Sequence, residues 1–198
     1  MKVIGITGGV GSGKSALLKY IAKNYNCRVI LADEVAHQAK EPGQPCYEEL
    51  IKLLSSDILN EDGTIHKGKM AEKIFASEEL LKKVNQIIHP AVKKMILDEI
   101  TLEKRRGELD FLFLEAALLI EDGYLNIVDE MWYIYARDDV RRMRLKKSRN
   151  YSDEKTDAIM KTQLTEENFR KNCSFVIDNS CGIEEAYRQI DIKLGEDL

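Results

Sequence analysis

Eight residues near the start of the chain, Gly8-Gly9-Val10-Gly11-Ser12-Gly13-Lys14-Ser15, follow an apolar run and precede a helical pattern marked by Leu17, Leu18 and Ile21. They match G-x-x-x-x-G-K-[ST] in the strand-then-helix setting that the motif needs. Its glycines let the backbone curl until consecutive N–H groups face one concavity, and the following helix adds positive potential there. A phosphate chain fits that concavity, with Lys14 reaching the β and γ phosphates and Ser15 offering its hydroxyl to Mg²⁺. The segment Gly8 to Ala16 is therefore the expected ATP-binding element, and ATP and Mg²⁺ the expected cofactors. The acceptor of the phosphoryl group is left open, because many reactions share this loop.

A strand feeding such a loop implies a parallel sheet, and four further short runs rich in branched or aromatic residues match the first, Val3 to Ile6. They are Arg28 to Ala32, Phe111 to Leu114, Met131 to Ala136 and Ser174 to Ile177. Near-continuous apolar character is what strands buried on both faces require. Helical periodicity separates them, as in Ile183, Ala186, Tyr187 and Ile190 after the last run. The predicted fold class is α/β, a three-layer P-loop NTPase with a parallel five-stranded sheet, a helical insertion and a helical lid.

Spacing divides the chain. The predicted nucleotide-binding core is 1–33, 106–137 and 169–198, the insertion 34–105 and the lid 138–168. Within the insertion, Glu41-Pro42-Gly43 and Asp62-Gly63 read as turns. A helix should start at Ser77, with Glu78 and Glu79 favouring its first turn. Pro90 should end it near His89 and open the next helix, through Val92, Met95, Ile96 and Ile100.

A net charge of −4 offers no global attraction for nucleic acid or an anionic membrane, so neither is an expected partner. Cys27, Cys46, Cys173 and Cys181 form no C-x-x-C pair, and a chain of 198 residues needs no disulfide staples, which fits a reducing cytoplasm. The N-terminal apolar run is too short for a signal or a membrane span. The oligomeric state is open, with a monomer compatible.

Neither N-K-x-D nor D-x-x-G occurs, so a guanine-specific switch is disfavoured and a small-molecule kinase favoured. Such a kinase needs a proton acceptor and cations that close over the phosphoryl group. Asp33 ends the second strand at the carboxyl edge of the sheet, as a proton acceptor or as the N-cap of a helix beginning at Glu34. From Arg137 to Arg149, the residues Arg137, Arg141 and Arg144 share one helical face, and Arg142, Lys146 and Arg149 another. One face could reach phosphates while the rest is solvated. Glu115 closes the third strand as an hhhh-acid motif, orienting magnesium or facing solvent. Trp132, in a strand, reads as core.

Several segments in order resemble the dephospho-CoA kinases, which use ATP to phosphorylate the 3'-hydroxyl of dephospho-CoA. They are Ile6 to Ser15, Ala32-Asp33, Glu41-Pro42-Gly43, Asp62-Gly63-Thr64-Ile65, Ile88-His89-Pro90, Leu118-Leu119-Ile120-Glu121, Arg144-Leu145 with Arg149, Gln163, and Val176-Ile177-Asp178-Asn179. The resemblance spans nearly the whole chain and implies a core like that of nucleoside-monophosphate kinases, a helical acceptor-binding insertion and a lid. It implies Asp33 as general base; the catalytic cations expected beside it are Lys14 and the lid arginines Arg144 and Arg149, one or the other of which should reach the phosphates. It also implies Asn179 near the adenine of ATP, and Asp33, Lys67, His89, Glu115 and Leu118 on the 3'-dephospho-CoA side. Departures from the family pattern are Leu31 for aspartate, Ala16 for threonine, Ala117 for proline, Lys67 for arginine and Ile159 for arginine. If those two arginines hold phosphates, Lys69 and Lys161 are neighbours that could substitute. A kinase of another small hydroxyl or nucleotide acceptor, or a non-catalytic nucleotide- or CoA-binding protein, is the alternative.

Overall fold

Strand β1 (Lys2–Thr7) runs up the middle of a five-stranded sheet of order β2-β3-β1-β4-β5, where β2 is Cys27–Leu31, β3 Phe111–Glu115, β4 Glu130–Tyr135 and β5 Phe175–Asp178. The computed structural model describes residues 1–116 and 118–196; the Ala117 departure lies outside them. β1 pairs in parallel with β3 and β4, Ile6 standing opposite Glu115 on one side and Trp132 on the other. β5 continues the parallel sheet beyond β4. All five predicted strands are present, with ends shifted by at most one residue. The apolar runs have their predicted cause, since Val3, Ile4, Leu112, Phe113, Leu114 and Trp132 are all fully buried.

Helix α1 (Lys14–Asn24) buries Leu17, Leu18 and Ile21. The C-terminal helix α9 (Ile183–Gly195) buries Ala186, Ile190 and Leu194. The two meet through Tyr20 and Tyr187, stacked with centroids 3.8 Å apart. Asp191 on α9 accepts from the hydroxyls of Tyr20 at 2.8 Å and Tyr25 at 2.6 Å. After β4 come α6 (Asp138–Arg149), α7 (Asp153–Lys161) and α8 (Glu166–Asn172). Asp138 and Asp139 occupy the first turn of α6, and Ser152 and Thr165 cap α7 and α8 with their hydroxyls.

The chain forms two compact units, Met1–Val29 with Glu103 and beyond, and Ile30–Leu102. The second is helical, built from α2 (Ala32–Gln38), α3 (Tyr47–Leu54), α4 (Lys67–Phe75) and most of α5 (Glu78–Arg106). Both predicted turns occur, with Gly43 at φ +80° and Gly63 at φ +81°, a region that favours glycine. Around Gly63, a short antiparallel bridge joins Leu59 to Ile65, and Asp62 accepts the Thr64 amide at 2.9 Å. Lys73 donates to the Leu54 carbonyl at 2.6 Å, serving the exposed C-terminus of α3.

Pro90 does not break the helix: α5 is continuous from Glu78 to Arg106 with Pro90 inside. Val84, Val92, Ile96 and Ile100 lie on both sides of the proline and are all at least nine-tenths buried. Burying four such side chains outweighs the roughly 3 kcal/mol that an interior proline costs. Among the described residues, no helix is long and apolar enough to cross a membrane, and the four cysteines are free.

Candidate functional site

The loop between β1 and α1 is built against its neighbours so closely that three of its glycines admit no side chain. A Cβ on Gly8 would stand 2.5 Å from the Ile134 carbonyl oxygen, on Gly11 2.9 Å from that of Arg141, and on Gly13 2.3 Å from the Asn179 amide nitrogen. Gly13 also sits at φ +98° as the N-cap of α1, which turns the chain so that Lys14 opens the helix. β1 and β3 are adjacent but lead to opposite sides of the sheet. The loop therefore lies at a switch point of the strand order, where open α/β sheets bind ligands.

Lys14 donates to the Gly8 carbonyl at 2.7 Å, and its ammonium lies 3.7 Å from a Glu115 carboxylate oxygen. Burial lowers its pKa and Glu115 opposes the shift, while the charges of Arg141 and Arg149 add to the lowering. Parallel register puts Glu115 there, since it ends β3 beside Ile6, one residue from the end of β1. Its carboxylate and the exposed Ser15 hydroxyl on the first turn of α1 are hard oxygen donors. They suit a cation that takes most of its ligands from phosphates and water.

The α6 arginines divide more sharply than helical spacing predicts. Arg144 donates to the carbonyls of Ser12 at 3.2 Å and Asn179 at 2.9 Å. Arg141, which the sequence placed on that face without singling it out, makes the closer set of contacts. Its Nε donates to the Val10 carbonyl at 2.9 Å and its Nη2 to Gln163 Oε1 at 2.8 Å. Gln163 Oε1 also accepts the Val10 amide at 3.1 Å. Val10, at the loop tip, is thus held at both its N–H and its C=O. The i, i+3 step from Arg141 to Arg144 was the available signal, but nothing in it ranked one residue above the other.

Arg137 pairs with Asp139 and stays exposed, while Arg142 binds Asp157 at 2.5 Å, tying α6 to α7. Arg149 lies over Tyr151, 5.9 Å from the ring centre, and reaches Lys14 through its charge. Asn179, which follows β5 and is almost wholly buried, donates its side-chain amide to the Ser12 carbonyl at 2.8 Å. Among the described residues, Ser12 Oγ and Asn179 Oδ1 are buried polar atoms without a hydrogen-bond partner. Each such atom costs about 1–3 kcal/mol, so two orphans beside one loop mark a place where stability is given up. Leu118 is 46% exposed in the turn after β3, and Ala16 is exposed on α1.

The remaining expected site residues belong to the Ile30–Leu102 unit. Asp33 neither ends β2 nor caps a helix: β2 stops at Leu31, which is itself the N-cap of α2, and Asp33 stands exposed in the first turn of α2. An acidic side chain there is favoured by the helix dipole. Lys67 opens α4 and lines a cavity of about 460 Å³ walled by α4 and α5 residues such as Met70, Ile74 and Val84. Lys69 instead donates to the Leu59 carbonyl at 3.1 Å. His89 is exposed on α5 ahead of Pro90, and its neighbour Ile88 lines the cavity. In the other unit, Lys161 lines a cavity beside α6 together with Arg141 and Gln163, while Ile159 is half-buried on α7.

Known proteins resemble this chain in sequence and in fold. The family model described as dephospho-CoA kinase matches residues 2–185. A dephospho-CoA kinase of Aquifex aeolicus is 37% identical over 198 residues, covering all of this chain and 98% of that relative. The crystal structure of a Thermus thermophilus protein superposes with a TM-score of 0.79 at 28% identity, covering 98% of this chain and 97% of the other. A dephospho-CoA kinase from Campylobacter jejuni shares the fold, with a TM-score of 0.73 at 22% identity over 99% of this chain and all of the other. With its phosphate loop, its β3 carboxylate and these full-length matches, the chain belongs to the dephospho-CoA kinase family.

Proposed function

We propose that this chain transfers the γ-phosphoryl group of ATP to the 3'-hydroxyl of dephospho-CoA, giving ADP and CoA in a reducing cytoplasm. The observation that carries the reading is the convergence of Lys14, Glu115, Arg141 and Arg144 around one glycine loop, in a chain with full-length kinase relatives. The loop amides and Lys14 bind the phosphates, and the Asn179 region takes the adenine side. Mg²⁺ would be held by Ser15 and oriented by Glu115, and would supply charge neutralisation at the phosphates.

Asp33 accepts the proton of the attacking hydroxyl as its oxygen bonds to the γ phosphorus. The bond from that phosphorus to the β–γ bridging oxygen breaks, and ADP leaves. Arg149, whose charge already acts on Lys14, stabilises the equatorial oxygens, while Arg144 keeps the loop in register. Lys67, His89 and Leu118 serve the acceptor. Catalysis is mainly positioning and charge stabilisation, as in other phosphoryl transfers.

Asp33→Asn tests the base. Turnover should fall by roughly 10²–10⁴ while ATP affinity stays within about twofold. A variant with unchanged turnover would return Asp33 to a helix-dipole role.

A further inference from the structure

The unit that holds the sheet carries a second cavity, of about 670 Å³, walled by β4 and by helices α6, α7 and α8. None of Gly8 to Ser15 lines it, so it is separate from the concavity of the phosphate loop. Its volume is that of a small-molecule site. Tyr133 and Tyr135 line it from one face of β4. Phe169 on α8 stacks on Tyr133 with ring centres 4.6 Å apart, and the Arg170 guanidinium lies over the Tyr135 ring at 5.2 Å.

Tyr133 is only 4% exposed, yet its hydroxyl has no hydrogen-bond partner among the described residues. Unlike Ser12 Oγ and Asn179 Oδ1 it is not sealed off, so the little surface it keeps opens onto the cavity. Burial pushes its pKa up to about 12, with Glu166 adding to the rise and Arg141 and Arg170 opposing it. At neutral pH the hydroxyl therefore keeps its proton and can donate it.

The carboxylates around the cavity are already matched. Asp157 pairs with Arg142 at 2.5 Å, Glu166 with Arg170 at 2.7 Å and Asp138 with Arg141 at 3.3 Å. The lining groups without a partner among the described residues include the two tyrosine hydroxyls, the Gln163 side-chain NH₂ and the exposed Lys161 ammonium. All of these can donate, and Lys161 adds a positive charge. Met160, Leu164 and Phe169 supply apolar wall. The complement of such a lining is an acceptor-rich anionic group on an apolar body.

Two of the lining residues also hold the loop tip. Arg141 donates to the Val10 carbonyl, and Gln163 Oε1 accepts from the Val10 amide and from Arg141. A ligand bound to the Gln163 NH₂ thus meets the same side chain whose oxygen fixes the loop. We propose that this cavity is a second ligand site, for a small organic oxyanion on an apolar body, and that its occupancy is felt at the phosphate loop through Gln163 and Arg141.

The test is calorimetric titration of the full chain with benzoate and with phenyl phosphate, each with and without saturating ADP, and with benzamide as the uncharged match. At least one anion should saturate with a Kd of about 1 mM or tighter while ADP is bound, and benzamide should bind at least about tenfold more weakly. The pair of anions distinguishes a carboxylate ligand from a phosphate ester. ADP should change the Kd of the anion by about twofold or more, and the anion that of ADP by the same factor. Tyr133→Phe removes only the unpartnered hydroxyl, so its thermal midpoint should be no lower than wild type while the anion binds about tenfold more weakly. Lys161→Met should weaken the anion similarly and Lys161→Arg recover most of the loss. Failure of both anions to saturate, their complete displacement by ADP, or equal binding to wild type and Tyr133→Phe overturns the site. An anion that binds beside ADP with an unchanged Kd overturns the coupling to the loop.

Discussion

Arg141 is the residue whose importance the tertiary structure adds. Its guanidinium lies over Gly9, where a Cβ would be 2.4 Å from Nη2, and it bridges the Val10 carbonyl and Gln163. The planar guanidinium presents Nε and Nη2 to the two partners in a fixed fork, a geometry that the point charge of an ammonium does not reproduce. Arg141→Met should therefore weaken ATP binding by about 1–3 kcal/mol, roughly fivefold to a hundredfold, because the loop tip loses its anchor. Arg141→Lys should recover little. The effect belongs in the KM for ATP rather than in kcat, since the contact exists without substrate, and steady-state kinetics over an ATP series separates the two. A fall in kcat at unchanged KM would mean that Arg141 moves onto the transferring group.

At the scale of elements, α5 and β4 show local preference overridden by packing. α5 keeps Pro90 because its apolar stripe is buried on both sides of it. Pro90→Ala restores an N–H and removes the ring, so it should stabilise the protein by about 1–3 kcal/mol, read as a shift in denaturation midpoint. At the start of β4, burial raises the pKa of Glu130, but hydrogen bonds from Lys2 and the Trp132 indole, with the Lys193 charge, outweigh it and leave the pKa lowered. A depressed carboxylate contributes stability that is present above its unfolded pKa, near 4.3, and lost as pH falls through the folded one. Glu130→Gln should therefore lower stability at neutral pH and flatten its decline below about pH 4.5, measured by urea titrations across that range.

At the scale of the whole molecule, burial separates four thiols that the sequence treats alike. It pushes Cys27 up to about 11 and Cys173 up to about 12, and raises Cys46 as well. Cys181 is exposed. Because the thiolate is the reactive form, an aromatic disulfide reagent at neutral pH should find one fast thiol in the native protein and four after denaturation. Cys181→Ser should abolish the fast phase, and a fast phase that survives would place an opening motion at one of the other three.

Local patterning was enough for the phosphate loop, the five strands and the helices beside them. A glycine loop needs only its own backbone freedom, and a strand buried on both faces must be apolar throughout. The Lys14–Glu115 approach was half legible, because Glu115 ends a strand and Lys14 follows the loop that leaves one, while the distance between them depends on β3 lying next to β1. The continuity of α5, the clamp of Arg141 and Gln163 on Val10, and the displacement of Asp33 into the first turn of α2 were not legible. Each depends on contacts between residues far apart in sequence or on burial set by another element. The chain alone determined the chemistry at the glycine loop because that chemistry is carried by consecutive residues. Only the tertiary structure decided which of the basic residues from Arg137 to Arg149 reach the loop, since neighbouring positions on one helix differ only in what packs against them.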